Sequence, residues 1–149
     1  MLPALQLRRR HGDIAVCSIA AGLHRLPAYG SHKVTAASEF KRRLFSSIYG
    51  SDKSHASLNA APPALSARFC NLNLPLDIGE EELFLPQDRL AAVIAKLDRN
   101  GWNTSGDFHR ASSRRAFHLL TGVREEILEL SFGTDIMVSE SRIAYVLVL

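Results

Sequence analysis

The sequence predicts an all-α protein, an irregular helical bundle, on three observations. Four separated segments repeat apolar residues at helical spacing. Only the last eight residues, RIAYVLVL, form the β-branched apolar run that favours a strand. And 149 residues with 46% hydrophobic content are enough for one domain with a core, not for two.

The first segment, 8–26, places Ile14, Cys17, Ala21 and His24 on one helical stripe that ends near Pro27. Its run LRRRHGDIAVCSIAAGL superficially resembles a secretory signal. His11-Gly12-Asp13 interrupts the passage from arginine to apolar residues, however, and no small-x-small cleavage site closes it. The apolar run from Ile14 to Leu23 is far too short to span a bilayer, so a soluble chain without a membrane partner is expected.

The second segment contains FKRRLFSSIYGSDK, residues 40–53. Phe40, Leu44 and Ile48 are successive i+4 neighbours, Phe45 and Tyr49 lie on the adjoining strip, and Lys41, Arg42 and Ser46 take the other side. Residues 59–79 hold three of the six prolines and read as an ordered, extended connection. A third helix is predicted over 86–98, where Leu90, Val93, Ile94 and Leu97 follow the helical template and Asn100-Gly101 stops it. The fourth runs from about 108 to 131 on Ala116, Leu120, Val123, Ile127 and Leu130, with Gly133 as its C-cap. Residues 134–149 read as a divergent tail, foreign to the helical body.

A stretch as basic and aromatic as 40–53 could contact nucleic acid, lie on a membrane surface or be half buried in a core. Net charge is only +3, from 18 basic and 15 acidic residues. The basic side chains cluster only as Arg8-Arg9-Arg10, Lys41-Arg42-Arg43 and Arg114-Arg115, whereas nucleic-acid affinity rests on concentrated phosphate neutralisation. The buried helix is the better reading. Arg42 and Arg43 would lay their stems over apolar surface with their heads at the rim, and Lys41 would face water. Asp52 would satisfy a neighbouring cation or a helix terminus.

Catalytic constellations are not evident. There is no HExxH, no GxSxG, no phosphate-cradling glycine loop and no cysteine pair at metal spacing. Six scattered histidines read as surface or core-edge residues; His24 and His55 could each act as a base, but no partner is designated for either. Cys17 and Cys70 sit in apolar settings and read as small buried hydrophobes in a reducing intracellular compartment. Glu80-Glu81-Glu82 precede a helix, where acids favour its positive end. Trp102 reads as a core plug. The sequence therefore assigns no catalytic, metal-binding or DNA-binding residue and no cofactor.

Glu39, Arg42-Arg43-Leu44-Phe45, Ile48-Tyr49 and Asp52-Lys53 do resemble a known pattern, the signature helix of the fungal-specific transcription factor domain. This is the middle homology region found downstream of the zinc binuclear cluster in fungal regulators. The family shows Glu-x-x-Arg-Arg, an aromatic pair and Tyr-x-x-Asp-Arg/Lys, then a Gly-Arg-Pro turn and an acidic segment like PLD. Here the chain continues with Pro62-Pro63-Ala64-Leu65-Ser66, Leu74-Pro75-Leu76-Asp77 and the acids at 80–82; REEILELSFG at 124–133 is also similar. The resemblance covers 8–133 as a partial copy. It marks Glu39, Arg42, Arg43, Phe45, Tyr49, Asp52, Pro62, Pro63, Pro75 and Asp77 as structural motif residues.

Two departures stand out. Ser46 replaces the second aromatic, and Ala60-Ala61 replace the Gly-Arg before Pro62, losing backbone freedom and an ion-pairing group. The six-cysteine zinc cluster does not occur in this sequence, so the chain looks like the middle of a longer regulator or a trimmed gene product. The resemblance implies part of a larger helical regulatory domain, nuclear localisation and control of transcription. Zinc and sequence-specific DNA reading would belong to the cluster and not to this chain. Partners would be the transcription machinery or a homologous regulator, with a homodimer possible. A free-standing helical module that modulates a full-length relative is the alternative, and a helical enzyme is a third reading for which no constellation speaks.

Overall fold

The computed structural model describes residues 2–30 and 33–132, which form four α-helices and three short 3₁₀ turns without a strand. Helix α1 spans Leu2–Ala20, α2 Ala36–Leu58, α3 Gln87–Ile94 and α4 Arg110–Phe132. The predicted tail at 134–149, its strand-favouring run and the Gly133 cap lie outside the described residues.

Local chemistry sets the helix ends. Helix α1 stops before Pro27 because Gly22, at φ 71°, turns the chain left-handed into a 3₁₀ turn at Leu23–Arg25. Helix α2 opens on a reciprocal cap: Ser38 N–H donates to Thr35 Oγ1 at 3.1 Å, and Thr35 N–H to Ser38 Oγ at 3.0 Å. It closes with the Ala61 N–H bonded back to the Ala56 carbonyl at 3.1 Å, the long bond of a Schellman motif. That geometry needs a left-handed residue at position 60, where glycine is usual, and Ala60 supplies it at φ 47°. Helix α3 ends at Ile94, short of the predicted 98. The following turn is held by Asp98, whose Oδ1 accepts the N–H of Asn100 at 2.8 Å and of Trp102 at 2.9 Å.

After the Ala60 turn the connector, 59–79, runs antiparallel along α2. Ala64 and Leu65 bond to Asp52, Leu76 to Glu39, and the Ile78 carbonyl to Arg43. Helix α4 lies alongside, parallel to α2: His118 meets Ser46, and Arg124 Nη1 donates to Ser54 Oγ at 2.7 Å. Gly50 permits this approach, since a Cβ there would collide with the Phe117 ring. Helix α1 packs antiparallel on α2, with His11 beside His55 and the Pro27 carbonyl, just past it, bonded to Arg42.

Two small apolar clusters complete the core. One holds Ala15, Leu23, Phe45, Tyr49 and Leu65; the other holds Leu76, Ile78, Leu83 and Leu90. Among the described residues, buried polar or charged side chains are as numerous as buried apolar ones. The centre of this fold is ionic.

That composition overturns several predicted helix faces. On α2, Phe45 and Tyr49 are buried as expected and Lys41 is exposed, but Phe40 and Leu44 face outward while Arg42, Arg43 and Ser46 lie inside. The arginine heads are not at a rim: both guanidinium groups turn inward to backbone carbonyls. Among the α1 residues whose burial is described, Ala15 and Ser18 are buried, while Ile14 and Cys17 are exposed; Cys70 is only half-buried. On α4 the face is inverted. Ala111, Ser112, Arg115, His118, Thr121, Glu125 and Leu128 are buried, while Leu120 and Ile127 of the predicted stripe are 65% and 48% exposed.

Truncating Phe45 or Tyr49 to Ala should cost about 3–5 kcal/mol, a large part of the roughly 5–15 kcal/mol of a small domain. Lys41→Ala should stay within about 0.5 kcal/mol. Thermal melts followed by circular dichroism check this, and a Phe45→Ala protein that melts like wild type contradicts the buried face. A left-handed non-glycine residue costs about 1–2 kcal/mol, and glycine gives back about 0.4–1 kcal/mol through the freer unfolded chain. Ala60→Gly should therefore raise the melting temperature by roughly 1–3 °C; a lower one would show that Ala60 is unstrained.

Candidate functional site

The motif residues converge on a polar belt between α2, the connector and α4. At its N-terminal end the Glu39 carboxylate is fully buried and takes donors from three segments. The Leu76 N–H reaches Oε1 at 2.8 Å, the Tyr29 hydroxyl reaches Oε2 at 2.8 Å, and Arg43 Nε stands 3.5 Å from Oε1. Arg42 Nε lies 3.9 Å from Oε2, its Nη1 donates to the Pro27 carbonyl at 2.7 Å, and its guanidinium covers the Tyr29 ring at 4.0 Å. Burial beside Glu39 raises the Tyr29 hydroxyl pKa, so Tyr29 stays a donor.

At the other end Asp52 receives the N–H groups of Ala64 and Leu65, both at 2.9 Å, and Lys53 Nζ at 3.1 Å. Lys53 also donates to the Leu65 carbonyl, sits over the Tyr49 ring at 4.2 Å and approaches Glu125 at 3.8 Å. Burial lowers the Lys53 pKa, and the Asp52 carboxylate works against that shift. His11 Nε2 stands 3.6 Å from Asp52, with its ring stacked on His55 at 4.3 Å.

Helix α4 closes the belt. Arg115 donates to the Pro75 carbonyl and, at 2.6 Å, to the Asn100 carbonyl, and it covers the Trp102 ring at 4.4 Å. Trp102 is thus a half-buried lid on a guanidinium, not a core plug. Asp77 accepts from the Ser112 hydroxyl at 2.6 Å and from the Asn103 N–H at 3.2 Å. Ser46 Oγ and His118 Nδ1 are 2.7 Å apart, and the His118 ring stacks on Tyr49 at 5.8 Å.

Of the ten motif residues, eight are buried in or against this belt: Glu39, Arg42, Arg43, Phe45, Tyr49, Asp52, Pro75 and Asp77. Pro62 is exposed and Pro63 half-buried, so both act through the turn rather than the belt. The acids at 80–82 do not cap α3; Glu82 Oε2 instead accepts the Gly79 N–H at 2.7 Å. The sequence reading missed Tyr29, Ser112, Arg115, His118 and Glu125. A signal exists for four of them: Ser112, Arg115, His118 and Glu125 share one helical row, which a search for apolar periodicity passes over because it is polar.

Chemically, the belt holds the fold together. The Ser46–His118 pair resembles a nucleophile and its base, but the two residues are 1% and 6% exposed, which closes the hydroxyl to a substrate in this arrangement. Among the described residues, no group of three or more His, Cys, Asp or Glu side chains could hold a metal ion, and no helix is long and apolar enough to cross a membrane. No protein-family model, curated protein or solved structure matches this chain.

Burial, with a smaller push from Arg115, lowers the His118 pKa below its ordinary 6.5. The unfolded chain therefore takes up this proton at higher pH than the fold does. The His118 contribution to stability is full above pH 6.5 and falls as pH drops toward the folded value. Melting temperature should decline from about pH 7.5 to about pH 5.5. In His118→Gln, which keeps a polar side chain but cannot titrate, part of that slope should vanish. His11, also lowered by burial, leaves the remainder. An unchanged slope in the variant would show that His118 is not a titrating member of the belt.

Proposed function

We propose that this chain is the regulatory and interaction region of a fungal transcription factor. It acts in the nucleus on genes whose DNA is read by a zinc cluster outside this chain. The observation that supports this reading is the convergence of the resemblance on one structure. Glu39, Arg43 and Asp52 fasten α2 to the connector, and Pro75 and Asp77, more than twenty residues later, join the connector to α4. A motif made of such residues specifies a scaffold, and the work of a scaffold falls to its surface. Leu119, Leu120 and Ile127 give α4 an outward apolar face suited to the transcription machinery, a homologous regulator or a second copy. The same face serves the second reading, a free-standing module that modulates a full-length relative.

Tethering tests the function directly. Fused to an unrelated DNA-binding module, the chain should change transcription of a reporter that carries that module's site, and Phe45→Ala should abolish the change. The chain alone should bind promoter and random duplexes equally and weakly, losing that binding as salt rises. A silent fusion, or tight sequence-selective binding by the isolated chain at physiological salt, would overturn the proposal.

A further inference from the structure

The flank of α4 that faces the connector forms a groove of about 530 Å³ with it, lined by Leu119, Leu120 and Val123 from the helix and by Ala67 and Leu72 from the connector. That volume is ordinary for a small-molecule site, where about 300–1,000 Å³ is usual. Among the described residues, the ionisable groups that line it are two acids, Glu125 and Glu126. Glu125 is 4% exposed. Its Oε1 accepts the Ala67 N–H at 2.9 Å and stands 3.8 Å from Lys53 Nζ, whereas Oε2 finds no hydrogen-bond donor among the described residues.

A buried carboxylate oxygen without a donor is unfavourable, and most such atoms in folded proteins have a partner. We propose that the groove binds a small amphipathic amine. Its apolar body would rest on Leu72, Leu119, Leu120 and Val123, and its ammonium would donate to Glu125 Oε2. Lining charge selects the ligand class: an ammonium meets Glu125 and Glu126 with opposite sign, while a carboxylate or phosphate would be repelled. Leu120, 65% exposed, then gains a partner for surface that is otherwise left to water. This site does not depend on a transcriptional role.

The test uses the full chain and 4-phenylbutylamine, with 4-phenylbutanoate as a carrier of the same body and opposite charge. Amide NMR spectra should shift saturably with the amine at 119–126 and 66–72, and not with the carboxylate. Glu125→Gln should weaken the amine about tenfold or more. Since Glu125 also braces Ala67, a second variant is needed. Leu120→Lys, at an exposed position, should melt like wild type and lose amine binding. No saturable shift, equal binding of the carboxylate, or a Leu120→Lys protein that binds the amine like wild type would each overturn the proposal. So would a wild-type dimer that Leu120→Lys dissolves while the amine binds neither form, because a second copy would then be the occupant.

Discussion

Everything in this fold depends on the Glu39 carboxylate having its donors. A fully buried carboxylate is among the least favourable groups a protein can place inside, and it persists only when its oxygens are paired and hydrogen-bonded. Here Arg43 sits one helical turn away, Tyr29 arrives from the segment before α2, and Leu76 arrives from the connector after it. The charge therefore cannot be satisfied by α2 alone. It is satisfied only when the flanking segments are in place, and this makes their placement cooperative. Removing one partner of a buried ion pair typically costs about 3–5 kcal/mol, comparable with truncating a core aromatic.

Asp52 repeats the arrangement thirteen residues later, roughly 20 Å along the helix at about 1.5 Å per residue. Two acids on one rigid rod thus hold the connector near both its ends. Directional bonds fix register in a way that apolar contact does not. Sliding the connector by one residue along α2 would strand Glu39 and Asp52 together, while Leu65 and Leu76 would still find apolar neighbours. Register is set at the Ala60 turn, whose left-handed residue reverses the chain so that Ala64 and Leu65 arrive at Asp52 with their N–H groups inward. Arg115 then locks the far side by holding Pro75 and Asn100 at once.

How much of this was legible in the sequence follows from which interactions are local. Helix existence was, because spacing, caps and Gly or Pro stops act within a few residues; α2, α3 and α4 all appear where the periodicity put them, within a few residues at each end. Facing was not. Phe40 and Leu44 form a good apolar stripe with Ile48, but the side of α2 that can be satisfied by the connector is the charged one, and its partners lie 35 and 37 residues away at Ile78 and Leu76. Periodicity of apolar residues cannot report a core made of ions. The resemblance marks Glu39, Arg43, Asp52 and Asp77 as structural by identity rather than by polarity, and says nothing of their burial. It gave no account of Arg115, His118 or Glu125, which lie on a helix outside its most specific block.

An ionic centre also explains the surface. Apolar residues not needed inside must go outward, and they do so on three helices: Ile14, Val16 and Ile19 on α1, Phe40 and Leu44 on α2, and Leu119, Leu120 and Ile127 on α4. Scattered exposed leucines would call for no comment. On α4, however, the exposed side chains form a pattern, since Arg115, His118 and Glu125 lie on the inner face with Ala111 and Leu128 while Leu119, Leu120 and Ile127 turn outward. Helix α4 is thus amphipathic, with its polar side bound to α2 and the connector and its large aliphatic side chains turned outward. The division leaves the outer face free to change without disturbing the scaffold, because none of the belt's bonds to α2 or the connector is made by Leu119, Leu120 or Ile127.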